Sequence, residues 1–120
     1  MGEEIRSFRD LRIWQLGMKI VEVIYQITDK LPETEKYALV SQMKRSAISL
    51  PANIAEGFRR RSNKEYKQFL HIALGSAAEL ETFIDLCRKL YGLNGVVTGD
   101  LFSLLDQFQS MTVTLIKRLK

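Results

Sequence analysis

The chain has 120 residues, of which 46% are hydrophobic and 27% are charged, and its formal net charge is +4. These values fit one domain with a hydrophobic core of its own. No apolar run approaches the ~20 residues of a membrane span, and the N-terminus lacks the basic start and apolar stretch of a secretory signal. The single cysteine, Cys87, cannot form an internal disulfide, which is typical of a reducing compartment. We therefore expect a cytoplasmic protein with no membrane segment.

Apolar residues at helical spacing predict a first helix over about residues 11–31, with two apolar stripes instead of one. The stripes are two residues out of phase, which is about 200° around a helix. A helix on the surface of a monomer buries one face, so this helix is either central in a larger core or part of a subunit contact. A four-helix domain has no central helix, which favours the contact. The residues assigned to a homo-oligomer interface are Ile13, Leu16, Ile20, Ile24 and Ile27.

The second predicted helix begins near Pro32 and carries Pro51 in its interior. An interior proline removes a backbone donor and crowds the preceding turn, at a cost of roughly 3 kcal/mol. The apolar stripe keeps its phase from Ala47 to Ile54, which favours one kinked helix over two shorter ones. A polar stripe on this helix is either a solvated face or a partly buried structural network. The residues of that network are Arg45, Asn53 and Glu56.

The third predicted helix begins at a capping box formed by Ser62 and Glu65, and it ends at Gly92. A fourth helix begins near Thr98. Because the connections are short, neighbouring helices are expected to run antiparallel. The predicted fold is all-α: an up-down-up-down four-helix bundle with a kinked second helix. It forms a single domain over residues 1–120, with a flexible tail over about residues 1–7.

Three segments carry a family resemblance: FRDLRIWQ, EKYALVSQMKRSAISLPANIAEGFRRRS and FLHIALGSAAELET. They resemble the bacterial four-helix-bundle proteins encoded in intervening sequences of 23S rRNA genes, a family sometimes labelled S23 ribosomal protein. The likeness covers about residues 8–93, and it implies a bundle that assembles into a ring, typically a pentamer. The sequence is also similar to the accessory protein of diversity-generating retroelements, which works beside a reverse transcriptase and binds nucleic acid.

One end of such a bundle collects the start of the first helix, the loop between the second and third, and the end of the fourth. This basic end holds 11 of the 18 basic residues against five acidic ones, a local charge of +6. Arginine suits phosphate because its forked guanidinium stays charged. The alternative is a solvated loop, with lysines that complement a helix dipole. The predicted nucleic-acid-binding residues are Arg6, Arg9, Arg12, Arg59, Arg60, Arg61, Lys64, Lys67, Lys117, Arg118 and Lys120.

Residue patterns for catalysis or metal binding are missing from the sequence. One histidine and one cysteine provide neither zinc-site nor di-iron spacing, and there is no Gly-rich phosphate loop. Glu79 and Glu81 lie about 200° apart on a helix, so they do not converge as an acid–base pair. We therefore expect no metal, no cofactor and no enzymatic activity. Two functions remain: an oligomeric accessory protein that binds RNA or DNA backbone, or an oligomeric scaffold that binds a protein partner.

Overall fold

Four α-helices follow one another along the chain. The computed structural model describes residues 4–93 and 96–120, with every side chain except those of residues 96–98. These residues form helices and turns and no strand, which confirms the all-α prediction. Single 3-10 turns precede the first two helices, at Phe8–Asp10 and Glu33–Glu35. The helices are α1 (Arg12–Thr28), α2 (Leu39–Phe58), α3 (Asn63–Tyr91) and α4 (Val96–Arg118).

The helices pack as a four-helix bundle. Each one contacts its neighbour in the chain, and α4 closes the arrangement against α1. Buried aliphatic side chains from all four helices meet along the axis, so every helix contributes one face to a single core. Within the described residues, no helix combines the length and the hydropathy of a membrane span.

The structure corrects the prediction for α1. The stripe assigned to a homo-oligomer interface lies in the core of the single chain, where Ile20 and Ile24 are 0% exposed. A side chain with no exposed surface has nothing to offer another subunit, so the assignment is wrong. The residues concerned are Ile13, Leu16, Ile20, Ile24 and Ile27. The opposite stripe of α1 is the exposed one.

The start of α2 also differs from the prediction. Pro32 precedes the 3-10 turn, and α2 begins seven residues later at Leu39. Tyr37, which lies within the predicted second helix, is 88% exposed. A proline suits the start of a 3-10 turn as well as that of an α-helix, because both require its fixed φ. Pro32 therefore indicated the start of a helical segment, but it did not indicate whether that segment is a 3-10 turn or an α-helix.

Pro51 lies inside one continuous helix, as predicted, and it is buried. Gly17 of α1 faces it. A Cβ added to Gly17 would lie 3.1 Å from the Pro51 nitrogen and 3.2 Å from its Cδ. The two helices come this close because one residue lacks a side chain and the other lacks an amide hydrogen.

Both ends of α3 lie where they were predicted, but the Ser62–Glu65 capping box forms only in part, because the Ser62 hydroxyl and not its backbone N–H donates to the Glu65 carboxylate. The Oγ of Ser62 accepts a hydrogen bond from the Glu65 N–H at 3.2 Å, and Gly92 ends the helix at φ 67°. At the N-terminus, the backbone N–H groups of Arg6 and Ser7 donate to Asp10, which ties them to the first turn. The remainder of the predicted tail includes residues 1–3, which lie outside the described residues.

Candidate nucleic-acid interface

The ring of Phe8 joins the start of α1 to the end of α2. The guanidinium of Arg9 lies 4.5 Å from the ring centroid, and that of Arg59 lies 5.2 Å from it. Trp14 of α1 packs against the same ring, with the centroids 5.6 Å apart. Two arginines that are 50 positions apart in the sequence therefore contact the same aromatic ring.

The end of α4 reaches the same end of the bundle. Arg12 of α1 and Arg118 of α4 line one groove, with a volume of about 350 Å³. The loop after α2 supplies Arg61, and the first turn of α3 supplies Lys64, both exposed. The structure thus brings together all three elements from which the sequence predicted a basic end. Of its eleven predicted residues, all are exposed except Lys67, which is half-buried.

Few of these cations have an acidic partner. Among the residues that the structure describes, only Arg6 and Arg60 of the set form ion pairs. Arg6 contacts Glu4 at 3.1 Å, and Arg60 contacts Glu56 at 3.2 Å and Glu65 at 3.8 Å. These pairs are solvent-exposed, and such pairs typically contribute about 0–1 kcal/mol to stability. The charge of the basic end is therefore largely unneutralised by its own acids.

Arg60 differs from the arginines on either side of it. Besides its two carboxylate partners, its guanidinium lies 4.7 Å from the ring centroid of Phe69 on α3. These contacts fix Arg60 in the join between α2 and α3. The sequence presented Arg59, Arg60 and Arg61 as equivalent, but the structure leaves Arg59 and Arg61 without a carboxylate partner among the described residues.

The predicted polar network does not form from the residues assigned to it. Arg45 is exposed, and Glu56 pairs with Arg60 instead of Asn53. Asn53 instead donates through Nδ2 to the carbonyl and the Oγ of Ser49, at 2.8 and 2.7 Å. The prediction named the wrong residues, because residues in one stripe of a helix need not contact the same neighbours.

The polar contacts between α2 and α3 come from serines. The hydroxyls of Ser49 and Ser76 lie 2.7 Å apart, and the Ser46 hydroxyl donates to Glu79 at 3.3 Å. None of these serines was among the residues assigned to the predicted network. The available signal was three serines in helix interiors, at positions where small polar side chains allow two helices to approach.

Cys87 and His71 provide no reactive centre. The Cys87 thiol is buried, and its Sγ lies 3.4 Å from the Sδ of Met43. Burial, and secondly the Glu35 carboxylate, raise the pKa of this thiol to about 11. A protonated thiol is a poor nucleophile at neutral pH. His71 is exposed, and the described part of the chain has no group of three or more potential metal ligands.

An exposed apolar surface runs along α1 and α2, away from the core. On α1, Met18 is 43% exposed and Tyr25 is 41% exposed, with half-buried Val21 between them and half-buried Trp14 one turn before Met18. On α2, the Lys44 ammonium lies 4.4 Å from the Tyr25 ring centroid, and exposed Ile48 is one turn further along the helix. We call this surface the outer α1–α2 face. It contains the α1 stripe that the sequence analysis did not assign to the interface.

The helix order and packing define a four-helix-bundle protein. A family model described as 23S rRNA-intervening sequence protein matches residues 9–114. The chain belongs to this family, which confirms the resemblance seen in the sequence.

One solved structure has the same fold. It is a protein of unknown function from the S23 ribosomal protein family of Bacteroides thetaiotaomicron VPI-5482. It superposes with a TM-score of 0.79 at 20% identity, over 88% of this chain and 98% of the other. At that identity the likeness concerns the fold alone. No curated protein matches the chain.

Proposed function

We propose that this protein is a non-enzymatic accessory protein that binds RNA or DNA backbone through its basic end. The main support for the proposal is the distribution of charge. Exposed cations from three separate elements lie at one end of the bundle, and few of these cations have an acidic partner among the described residues. Like charges held together repel one another, so a cluster of this kind is favoured when a polyanion neutralises it.

The chemistry of the site suits phosphate. Arg9 and Arg59 present guanidinium groups whose positions are limited by the Phe8 ring. Binding would release counterions condensed on the nucleic acid, so affinity should fall steeply as salt rises. Phosphate contacts carry no sequence information, so we expect little preference among sequences.

The functional unit in this proposal is a homo-oligomer, and the family resemblance suggests a pentamer. The outer α1–α2 face supports this part, because exposed apolar surface is typical of subunit contacts. Subunits pointing the same way would join their basic ends into one positive surface of roughly 30 charges.

Light scattering tests the assembly. We expect a mass above that of the 13.8 kDa monomer at micromolar concentration. Met18→Asp with Tyr25→Asp should dissociate it without unfolding, because both side chains are exposed. Ile72→Asp on α3, where the side chain is 51% exposed, is the control and should leave the mass unchanged. A monomer mass for the unmodified protein would refute the oligomer.

Fluorescence anisotropy with labelled RNA and DNA, over several salt concentrations, tests nucleic-acid binding. Arg59→Ala with Arg61→Ala should weaken all sequences about equally and reduce the salt slope by up to about 1.8 on duplex DNA. Arg60→Ala should have a smaller effect than Arg59→Ala, since acids already neutralise Arg60.

The matched control removes the same charge elsewhere. Lys30→Ala with Lys89→Ala changes two exposed lysines outside the basic end, and it should leave affinity near that of the unmodified protein. No binding at low salt, or equal losses in both double variants, would contradict the proposal. That outcome would favour the alternative function, an oligomeric scaffold that binds a protein partner.

A further inference from the structure

The groove between α1 and α4 has a composition unlike that of the rest of the basic end. Its walls are mainly aliphatic, and two guanidinium groups stand among them. At about 350 Å³, its volume lies at the low end of the ~300–1,000 Å³ of small-molecule sites. The lining residues are Leu11, Arg12, Ile13, Met111, Thr114, Leu115 and Arg118.

A phosphate group alone makes poor use of this groove. Phosphate is strongly hydrated, and placing it against aliphatic walls removes water without supplying donors. The composition instead suits a ligand with an apolar body that carries negative charge beside it. A nucleotide is such a ligand, because its base can enter the apolar part while its phosphates remain near the arginines.

The aromatic ring nearby cannot take this role as readily. Phe8 already has two guanidinium groups and the Trp14 ring against it. A base could stack on the Phe8 ring only by displacing one of these contacts. The α1–α4 groove is open, and neither Arg12 nor Arg118 has an ion pair within the described residues.

We propose that the α1–α4 groove receives one unpaired base of a single-stranded nucleic acid, with Arg12 and Arg118 near the flanking phosphates. The inference rests on the proposed function, which brings a polyanion to this end. The base site would make the protein prefer single-stranded nucleic acid to duplex. Bases in a duplex are paired and stacked, and removing one from the stack costs free energy, whereas an unpaired base is already available.

The experiment compares three labelled probes of equal length: an intact single strand, a strand of abasic sites and a duplex. The abasic strand keeps the phosphates and removes the bases. The intact strand should bind about three- to tenfold more tightly than the abasic strand, and more tightly than the duplex, since an aliphatic wall offers a base less than the aromatic surfaces on which bases usually stack.

A variant pair locates the effect. Met111→Gln keeps the size of the side chain and removes its apolar character, so it should abolish most of the preference for the intact strand. Val113→Gln is the control, because Val113 is on the same helix and is 38% exposed, as Met111 is, but does not line the groove. Circular dichroism melting of both variants checks that each is folded.

The results separate this inference from the proposed function. Equal binding of the intact and abasic strands overturns the base site, while backbone binding stands. A preference that survives in Met111→Gln also overturns it, since the base must then lie elsewhere. Failure of all three probes to bind at low salt overturns both, and the groove would then suit an apolar peptide bearing a carboxylate.

Discussion

The two ends of the bundle differ in the balance between their basic and acidic side chains. At the end where α2 begins and α3 finishes, basic and acidic side chains contact each other: Lys36 with Glu33 at 4.0 Å and Arg88 with Asp85 at 3.8 Å. The Tyr91 hydroxyl there donates to Glu35. At the basic end, only Arg6 and Arg60 of the eleven basic residues form ion pairs among the described residues, and Arg9 and Arg59 contact the Phe8 ring.

This difference teaches what each end requires. A surface that has only to stay in water can mix its charges, which lowers repulsion and keeps the chain soluble. A surface that concentrates one sign gives up that advantage and gains long-range attraction for a ligand of the opposite sign. The end where α2 begins and α3 finishes, which we call the paired end, is therefore expected to contribute to stability, and the basic end to binding.

Cys87 provides the largest expected effect on stability, and it lies near the paired end. Its pKa is raised from 9.0 to about 11, so the thiol stabilises the fold fully below pH 9. As pH rises from 9 to 11, the unfolded thiol ionises well before the folded one, so stability is lost. At about 1.4 kcal/mol per pKa unit, the full shift corresponds to about 3 kcal/mol, of which about 2 kcal/mol should be lost by pH 11, where the folded thiol is half ionised.

Urea unfolding at pH 8 and pH 11 measures this loss. Cys87→Ala serves as the reference, because every other titrating group is common to both proteins. The unmodified protein should lose about 2 kcal/mol more than Cys87→Ala over this interval. Parallel pH profiles for the two proteins would show that the thiol ionises equally in the folded and unfolded chains.

Gly57 tests the packing beneath the basic end, with the next largest effect. A Cβ there would lie 2.9 Å from the Phe69 Cβ and 2.9 Å from the Tyr66 Cδ1. The Phe69 Cβ is attached to the α3 backbone, so α3 itself would have to move. Gly57→Ala should destabilise the protein by about 1–2 kcal/mol, since overpacking typically outweighs the gain in helix propensity.

Gly75 is the matched control for Gly57. It lies within α3, and a Cβ there would meet nothing within 4 Å. Gly75→Ala should therefore stabilise the protein by about 0.5–1 kcal/mol through the unfolded chain. Thermal unfolding of the two variants should shift in opposite directions. A stabilised Gly57→Ala variant would mean that the two helices are less tightly joined than the structure indicates.

The smallest expected effects compare single arginines at the two ends. Arg88 pairs with Asp85 and lies 5.6 Å from the Phe102 ring centroid, so Arg88→Ala should destabilise by about 0.5 kcal/mol. Arg61→Ala should change stability by less than about 0.5 kcal/mol, towards higher stability at low salt. Nucleic-acid affinity should fall in Arg61→Ala alone. A stability loss in Arg61→Ala larger than that in Arg88→Ala would contradict the contrast between the ends.

Much of the fold could be predicted because its signals are local. The Ser62 cap and Gly92 have their meaning within one helical turn, and the short connections fix antiparallel packing. The prediction chose the wrong stripe of α1 as the exposed one. Both stripes are apolar, and helical periodicity alone does not show which of them is buried. The composition contained the answer: the buried stripe is wholly aliphatic, while the exposed one includes Trp14 and Tyr25, which have polar atoms.

The basic end could be predicted because charge accumulates by topology, and no side-chain contact had to be known. The individual contacts could not. Arg60 is held by Glu65 and Phe69 on α3, which depends on how α2 meets α3 in space. The serine contacts between these helices depend in the same way on which residues face each other, and helix spacing alone does not provide that information.

The groove shared by α1 and α4 also brings the first and last described helices together at one end. Leu11 and Leu115 line the same opening although they are 104 positions apart. A short linker could therefore connect the two regions, and circular permutation is well tolerated where chain ends lie close. New termini at exposed Tyr37 would lie outside the basic end. Such a permuted chain would let a label or a surface attachment be placed far from the basic end.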